Sequence, residues 1–333
     1  MLDGKKILVT GAAGFIGSYL CKRLINDFKC EVIGVDNLND YYDVKLKYDR
    51  LDEIGDKCFK FIKLDISNKT EVDNLFKEYK FDVVVNLAAQ AGVRYSIDHP
   101  DVYIESNIIG FYNLLEAIRY NPCEHFVYAS SSSVYGGNTK IPFSTDDKVD
   151  NPVSLYAATK KCDELLAHAY SKLYGIACTG LRFFTVYGPM GRPDMAYFSF
   201  TNKLVNDEKI KIFNYGNCKR DFTYIDDIVE GIVRVMDSKP RDNYMVYNIG
   251  NNHPENLMDF VKTLSECLIE EGVLDKSFDI NSHMELVEMA KGDVPITYAD
   301  VSELEKDFGF KPSTSLKDGL SKFAKWYKGY YIK

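Results

Sequence analysis

The chain contains no apolar run near the roughly 20 residues that a membrane-spanning helix needs, no internal repeat and no low-complexity segment. It also contains no C-x-x-C pair. The eight cysteines stand at 21, 30, 58, 123, 162, 178, 218 and 267, several inside apolar segments. Such usage predicts reduced core thiols in a cytoplasmic protein. The five histidines are scattered, and none pairs with a cysteine or carboxylate at ligand spacing, so no metal is expected. Basic charge is not in excess either. The net charge is −8 with both signs mixed along the chain, which argues against nucleic acid or an anionic membrane surface as a partner. The N-terminal MLDGKKILVTGAAG runs directly into a strand pattern, and no signal peptide is expected.

What is present is enough for one large domain or two of ordinary size: 333 residues, 46% of them hydrophobic. Apolar runs alternate with helical patterns through the first half. Strands are expected at Lys6–Thr10, Cys30–Asp36, Phe59–Asp65, Asp82–Ala88, Glu124–Ser130 and Ala177–Phe184. Helices are expected at Phe15–Asp27, Glu71–Tyr79, Asp101–Arg119 and Leu155–Tyr174. Strands such as ILVT and VVVN are apolar on both faces, as a parallel sheet covered on both sides requires. Repeated βα units predict an α/β fold, a doubly wound parallel (Rossmann) sheet with a smaller C-terminal substrate-binding domain. Residues 1–188 would form the first unit and 189–333 mainly the second, with a return strand to the large sheet near 244–250.

Two helices carry more apolar residues than one face needs. In Asp101–Arg119, Ile104, Ile108, Phe111, Leu115 and Ile118 form a stripe assigned to the sheet, and Ile109, Tyr112 and Leu114 lie off it. In Leu155–Tyr174 the sheet stripe is read as Leu165, Leu166, Ala169, Tyr170 and Leu173, with Ala158 and Cys162 off it. The second faces predict a homodimer that pairs these helices.

Two motifs carry chemistry. Gly11, Gly14, Phe15, Ile16 and Gly17 belong to GAAGFIG, directly after a strand and opening a helix. The glycines permit a tight turn and close approach of a pyrophosphate, and the helix N-terminus offers free N–H groups to it. Asp36 ends the second strand. A carboxylate there can bond both hydroxyls of an adenosine ribose and repels a 2′-phosphate, which selects NAD over NADP. Asp65 and Ile66 are placed for the adenine, and Leu87, Ala88 and Ala89 end the fourth strand where the cofactor must pass. The second motif is YAATK, with Tyr156 and Lys160 four residues apart on one helix face. A free phenol titrates near ~10. A neighbouring ammonium and a positive nicotinamide both favour its ionised form. The fifth strand ends in ASSSSVYG (129–136), which sets four serine hydroxyls at the ligand edge of the sheet.

The GxxGxxG loop, the Asp36–Asn37–Leu38 ending, the serine run with VYG, and YxxxK resemble the extended short-chain dehydrogenase/reductase family. Essentially end to end, the chain is similar to its nucleotide-sugar epimerases. TVYGP (185–189), GRPDMA (191–196), KRDFTYIDD (219–227) and GDV (292–294) look like the UDP-glucuronate 4-epimerases. The resemblance implies Ser131, Tyr156 and Lys160 as the catalytic triad, with Asn37 joining the NAD contacts. Ser131 would bond the sugar 4-hydroxyl, although Ser132 is one residue away. Tyr156 would take its proton, and Lys160 would hold the nicotinamide ribose. A 4-keto sugar would form and be reduced on its other face. No Asp or Glu lies between Ala129 and Gly136, where dehydratases and decarboxylases place a carboxylate. Ser132, Ser133, Thr185 and Arg192 would hold the sugar carboxylate. Arg220 would bind the UDP phosphates, Arg94 and Asp293 would face the nucleotide sugar, and Phe213 would pack on uracil. Ala290 departs from the galactose epimerases, which carry arginine there, so a second phosphate contact is not implied. The alternatives are UDP-glucose or UDP-N-acetylglucosamine 4-epimerisation, against which Thr185 argues because those enzymes tend to carry Asn there, and a non-catalytic NAD-sensing scaffold, against which Tyr156 and Lys160 argue.

Overall fold

The computed structural model describes residues 2–55, 57–238, 240–289 and 294–332. Seven parallel strands form the central sheet: β1 (Lys6–Thr10), β2 (Glu31–Asp36), β3 (Phe59–Lys63), β4 (Val83–Asn86), β5 (His125–Ser131), β6 (Cys178–Phe183) and β10 (Tyr244–Ile249). Their order is β10-β6-β5-β4-β1-β2-β3. The chain therefore runs outward from β1 to β3, then restarts on the other side of β1 with β4. That reversal opens a crevice at the C-terminal strand ends between β1 and β4. A smaller three-stranded sheet joins β7 (Thr185–Tyr187), β9 (Lys219–Tyr224) and β11 (Pro254–Asn256), and β8 (Ile210–Phe213) pairs with β12 (Met284–Val287).

The helices are α1 (Phe15–Phe28), α2 (Val44–Ile54), α3 (Lys69–Glu78), α4 (Tyr95–Asp98), α5 (Pro100–Tyr103), α6 (Gly110–Tyr120), α7 (Leu155–Tyr174), α8 (Ala196–Val205), α9 (Ile225–Met236), α10 (Leu257–Glu270), α11 (Ser302–Phe308) and α12 (Leu316–Tyr331). Alternate strand residues enter opposite cores, as a doubly covered sheet demands. Ile7, Val9, Val83 and Val85 pack with α1 and α9, in a core that continues through α8, α10 and α12. Leu8, Val84, Phe126 and Tyr128 pack with α3, α6 and α7 on the other side. No helix of the described residues is long and apolar enough to cross a membrane.

The stretch expected as one helix over Asp101–Arg119 is helical throughout but not α-helical throughout. A π-helical turn at Ile104–Ile109 separates α5 from α6. The wider turn faces Asn107 inward, where it accepts from Gln90 N at 2.8 Å and donates to Gln90 O and Thr159 Oγ1, both at 3.0 Å. The inward face of α7 also differs from the stripe read in the sequence. Ala157, Lys160, Asp163, Glu164, Ala167 and Ser171 are buried, whereas Leu165 and Leu173 are 58% and 70% exposed. Conversely Leu114, expected off the sheet face, is in the core.

Charge on the inward face of α7 is matched from the sheet. Arg182 of β6 bonds both oxygens of Glu164, Nε to Oε1 at 2.8 Å and Nη2 to Oε2 at 2.9 Å. Ser130 donates to Oε1 at 2.7 Å. Burial by itself would raise the Glu164 carboxyl, but these bonds hold it below the usual carboxylate value. Its stabilisation is therefore present above the unfolded titration range and is lost as pH falls through the depressed folded value. Arg182→Met, which strands a buried carboxylate, is expected to cost about 3–5 kcal/mol, read as a lower urea midpoint. Adding Glu164→Leu should recover much of that loss, and an unchanged midpoint in the single variant would contradict the pairing.

Candidate active site

The crevice begins at the turn after β1. Gly11 has φ +71°, and a Cβ there would lie 2.8 Å from Ala88 N on the β4 side. A Cβ on Gly17 would lie 2.1 Å from Gly11 O. Only glycine lets the start of α1 fold so closely beneath this turn. Gly14 is the N-cap of α1, and no side chain bonds the helix end. Its first N–H groups thus remain available to an anion at the positive end of the helix dipole.

Asp36 closes β2 above the turn. It is almost wholly buried, and burial raises its carboxyl, opposed by Lys47, by the N–H groups of Leu38 and Ala13, and by Arg50. Lys47 stands 4.0 Å from Asp36 Oδ1 and donates to Asn39 O at 2.8 Å and to Asn39 Oδ1 at 2.9 Å. Asp65 is fixed from both sides, accepting from Asn37 Nδ2 at 2.9 Å and from Ser67 N at 2.9 Å. α2, absent from the expected helices, carries Lys47 and Arg50 inward. Arg50 has no carboxylate partner among the described residues. It donates to Ala13 O, Met190 O, Gly191 O and the Tyr42 hydroxyl. This one buried guanidinium joins the glycine-rich turn to the 189–191 turn.

The cavity has a volume of about 460 Å³. It reaches from Gly11, Gly14, Phe15, Ile16 and Gly17, past Asp36, Asn37, Asp65 and Ile66, along Leu87, Ala88 and Ala89, to Tyr156, Lys160 and the serines 131–133. Ser131 Oγ accepts from Ser133 N at 3.1 Å, capping the short 3₁₀ turn Ser132–Tyr135 and setting the next two hydroxyls. Ser154 Oγ caps α7 by accepting from Ala157 N at 3.1 Å, which places Tyr156 in the first turn. The ring of Tyr103 packs edge-on against Tyr156, centroids 6.1 Å apart.

Thr185, Arg192 and Arg220 line the same cavity. Arg192 forms a fork with Asp194, Nε to Oδ1 at 3.0 Å and Nη2 to Oδ2 at 2.6 Å. Arg220 is carried by β9 beside Asp221. That buried carboxylate accepts from the N–H groups of Asn251, Asn252 and Ala299, although burial still pushes it up to about 6. Arg94 and Phe213 are not part of the cavity wall. The Arg94 guanidinium lies 4.3 Å from the Phe213 ring centroid, and Arg94 is exposed. Asp293 and Ala290 lie outside the described residues. Asn39, Tyr41, Tyr42, Lys47 and Gln90 also line the cavity. They fall in loops or on α2 and belong to no motif read in the sequence.

Residues 7–250 match the model of the NAD dependent epimerase/dehydratase family. Over 98% of its length the chain is 51% identical to Protein CapI of Staphylococcus aureus, all of which is covered. It is 44% identical to UDP-glucuronate 4-epimerase 2 of Arabidopsis thaliana over 99% of the chain and 77% of that protein. A crystal structure of UDP-glucuronic acid 4-epimerase from Bacillus cereus, in complex with UDP-glucuronic acid and NAD, superposes with TM-score 0.88 at 34% identity. The match covers 98% of this chain and 100% of that one. The glycine turn, the uncapped helix end and Asp36 fit NAD as the dinucleotide. Asp36→Ala is expected to weaken NAD binding about 10–100-fold, the worth of a charged hydrogen bond, and to narrow the preference over NADP. Calorimetric titration with both nucleotides checks this, and equal NAD affinity in the variant would remove Asp36 from the site.

Proposed function

The chain belongs to the NAD dependent epimerase/dehydratase family, and on that footing we propose that it inverts C4 of UDP-glucuronate to give UDP-galacturonate. One observation carries the reading. Tyr156, Lys160 and a serine run without a carboxylate line the same cavity as the dinucleotide turn, together with Thr185 and Arg192. The substrate named for the Arabidopsis and Bacillus cereus relatives supports it.

NAD, when bound, supplies the acceptor and then the donor of the C4 hydride. Tyr156 takes the proton of the 4-hydroxyl and returns it after the sugar has presented its other face, so it serves as base and then acid. Ser131 bonds the same oxygen, and Lys160 holds the ribose hydroxyl beside the phenol. The guanidinium of Arg220 suits the pyrophosphate. The oxidised sugar is a β-keto acid and loses CO₂ if its carboxylate bond aligns with the carbonyl π system. Hydroxyls of Ser132, Ser133 and Thr185 hold that carboxylate out of alignment. Asp194 takes the Nε donor and one Nη2 donor of Arg192, which leaves the N–H groups of Nη1 and the second one of Nη2 for the substrate. The eight cysteines are all free thiols, in keeping with a cytoplasmic enzyme.

Incubation with UDP-glucuronate, UDP-glucose and UDP-N-acetylglucosamine, with the products resolved, is expected to show a C4 epimer from the first. No epimer from any would end the epimerase reading. Thr185→Val and Arg192→Ala should each weaken substrate binding or release a pentose product, and if neither occurs they do not hold the carboxylate.

We further propose a homodimer. Ile104, Ile109 and Tyr112 next to and on α6, with Leu165 and Leu173 on α7, are 40–70% exposed, an apolar band suited to pairing with its own copy. Leu165→Glu combined with Leu173→Glu should convert a dimer to a monomer in sedimentation. A wild-type protein that sediments as a monomer would end this reading.

A further inference from the structure

The proposed mechanism makes no use of one buried carboxylate next to its lysine. Asp163 follows Lys160 by three residues on the inward face of α7, and both side chains are buried, 0% and 2% exposed. Asp163 Oδ2 lies 3.1 Å from Lys160 Nζ, and Oδ1 has no hydrogen-bond partner. Lys160 Nζ also donates to Ala129 O at 2.9 Å. An ammonium has three N–H donors. Two are thus directed, one to the main chain of β5 and one to Asp163, and a single N–H remains for a ligand.

We propose that Asp163 is a positioning residue: as counter-ion of Lys160 it directs the remaining N–H of the ammonium and offsets part of its positive field at Tyr156. The inference rests on the reading of Tyr156 and Lys160 as the acid–base pair. A half-satisfied buried ion pair is a poor way to stabilise a helix, since an apolar pair of similar volume does as well or better. Its position beside the lysine of the acid–base pair is what the charge serves.

The other charges near Asp163 are accounted for. Glu164 is bonded by Arg182 of β6 and Ser130 of β5, with Lys161 3.3 Å away. Tyr244 of β10 donates to Glu164 O, and Glu116 of α6 accepts from Tyr170. Thr159, on the same helix, meets Asn107 of the π turn. None of these is bonded to Asp163. Burial raises the Asp163 carboxyl well above the usual range, Lys160 opposes that rise, and Glu164 adds to it. Lys160 is therefore the group that favours the charged form of Asp163 against its burial.

The sign of the effect follows. Removing one negative charge makes nearby protons easier to lose, from the phenol and from the ammonium alike. The test is the ultraviolet phenolate signal of the NAD-bound protein across pH, taken as the difference between each protein and its Tyr156→Phe counterpart. In Asp163→Asn and Asp163→Ala the midpoint should fall by about one pH unit, and Asp163→Glu should stay with wild type. The pH–turnover profile should move down on both limbs, whereas a packing defect would scale it without moving it. Coincident midpoints would overturn the proposal, as would failure of both neutral variants to fold, which would assign Asp163 to the fold alone. A wild-type midpoint at the ordinary tyrosine value near ~10 would instead overturn the acid–base reading itself.

Discussion

The backbone of α1 can start where it does because Gly17 has no side chain. That helix end lies against the carbonyl of Gly11, with no room for a methyl group between them. The contact brings the first turn of α1 under the C-terminal end of β1, beside the point where the sheet reverses toward β4. The contact directs a positive helix end into the crevice, and the neighbouring Gly11 lets the turn lie against the backbone of Ala88. The acid–base residues on α7 and the serines after β5 are then set along the crevice by their own caps, Ser154 and Ser131.

The second half of the cavity is built differently. Its wall comes from short strands and turns, and its side chains are held by long-range bonds. Arg220 is set beside a carboxylate that gathers three N–H groups from two separate loops. Arg192 is set by Asp194, which in turn accepts from the Tyr41 hydroxyl of the loop before α2. Both walls of the cavity are therefore tied to loops beyond their own strand, and the nucleotide side reaches the sugar side through side chains of the first 50 residues.

The central sheet was legible because a doubly covered parallel strand writes itself as a short apolar run. The six expected strands differ from the observed ones only at their ends, and the bounds of α7 are as expected. Its orientation was not legible. Periodicity assumes that the inward face is the apolar one, but here that face carries Lys160, Asp163 and Glu164 because the sheet supplies Arg182 and because the site needs a lysine. α2 escaped for the same reason, since its buried residues include Lys47 and Arg50. The π turn has no compositional mark at all; what accompanies it is the bonding of Asn107 to Gln90, 17 residues away in the chain. Among the expected site residues, those in local motifs at strand ends meet in one cavity. Arg94 and Phe213, each assigned singly, lie against one another.

Arg50 sets a limit on how the chain can vary. Its hydrogen bonds go to three carbonyls and a phenol, and no carboxylate among the described residues is bonded to it. A planar fork with five donors can address four acceptors in different directions, while an ammonium on a flexible stem has too few donors and the wrong shape. Lysine, usually the mildest replacement for arginine, would leave buried carbonyls without donors on both sides of the seam. At this position the shape of the cation matters more than its sign, and the two turns it joins can be inherited only together.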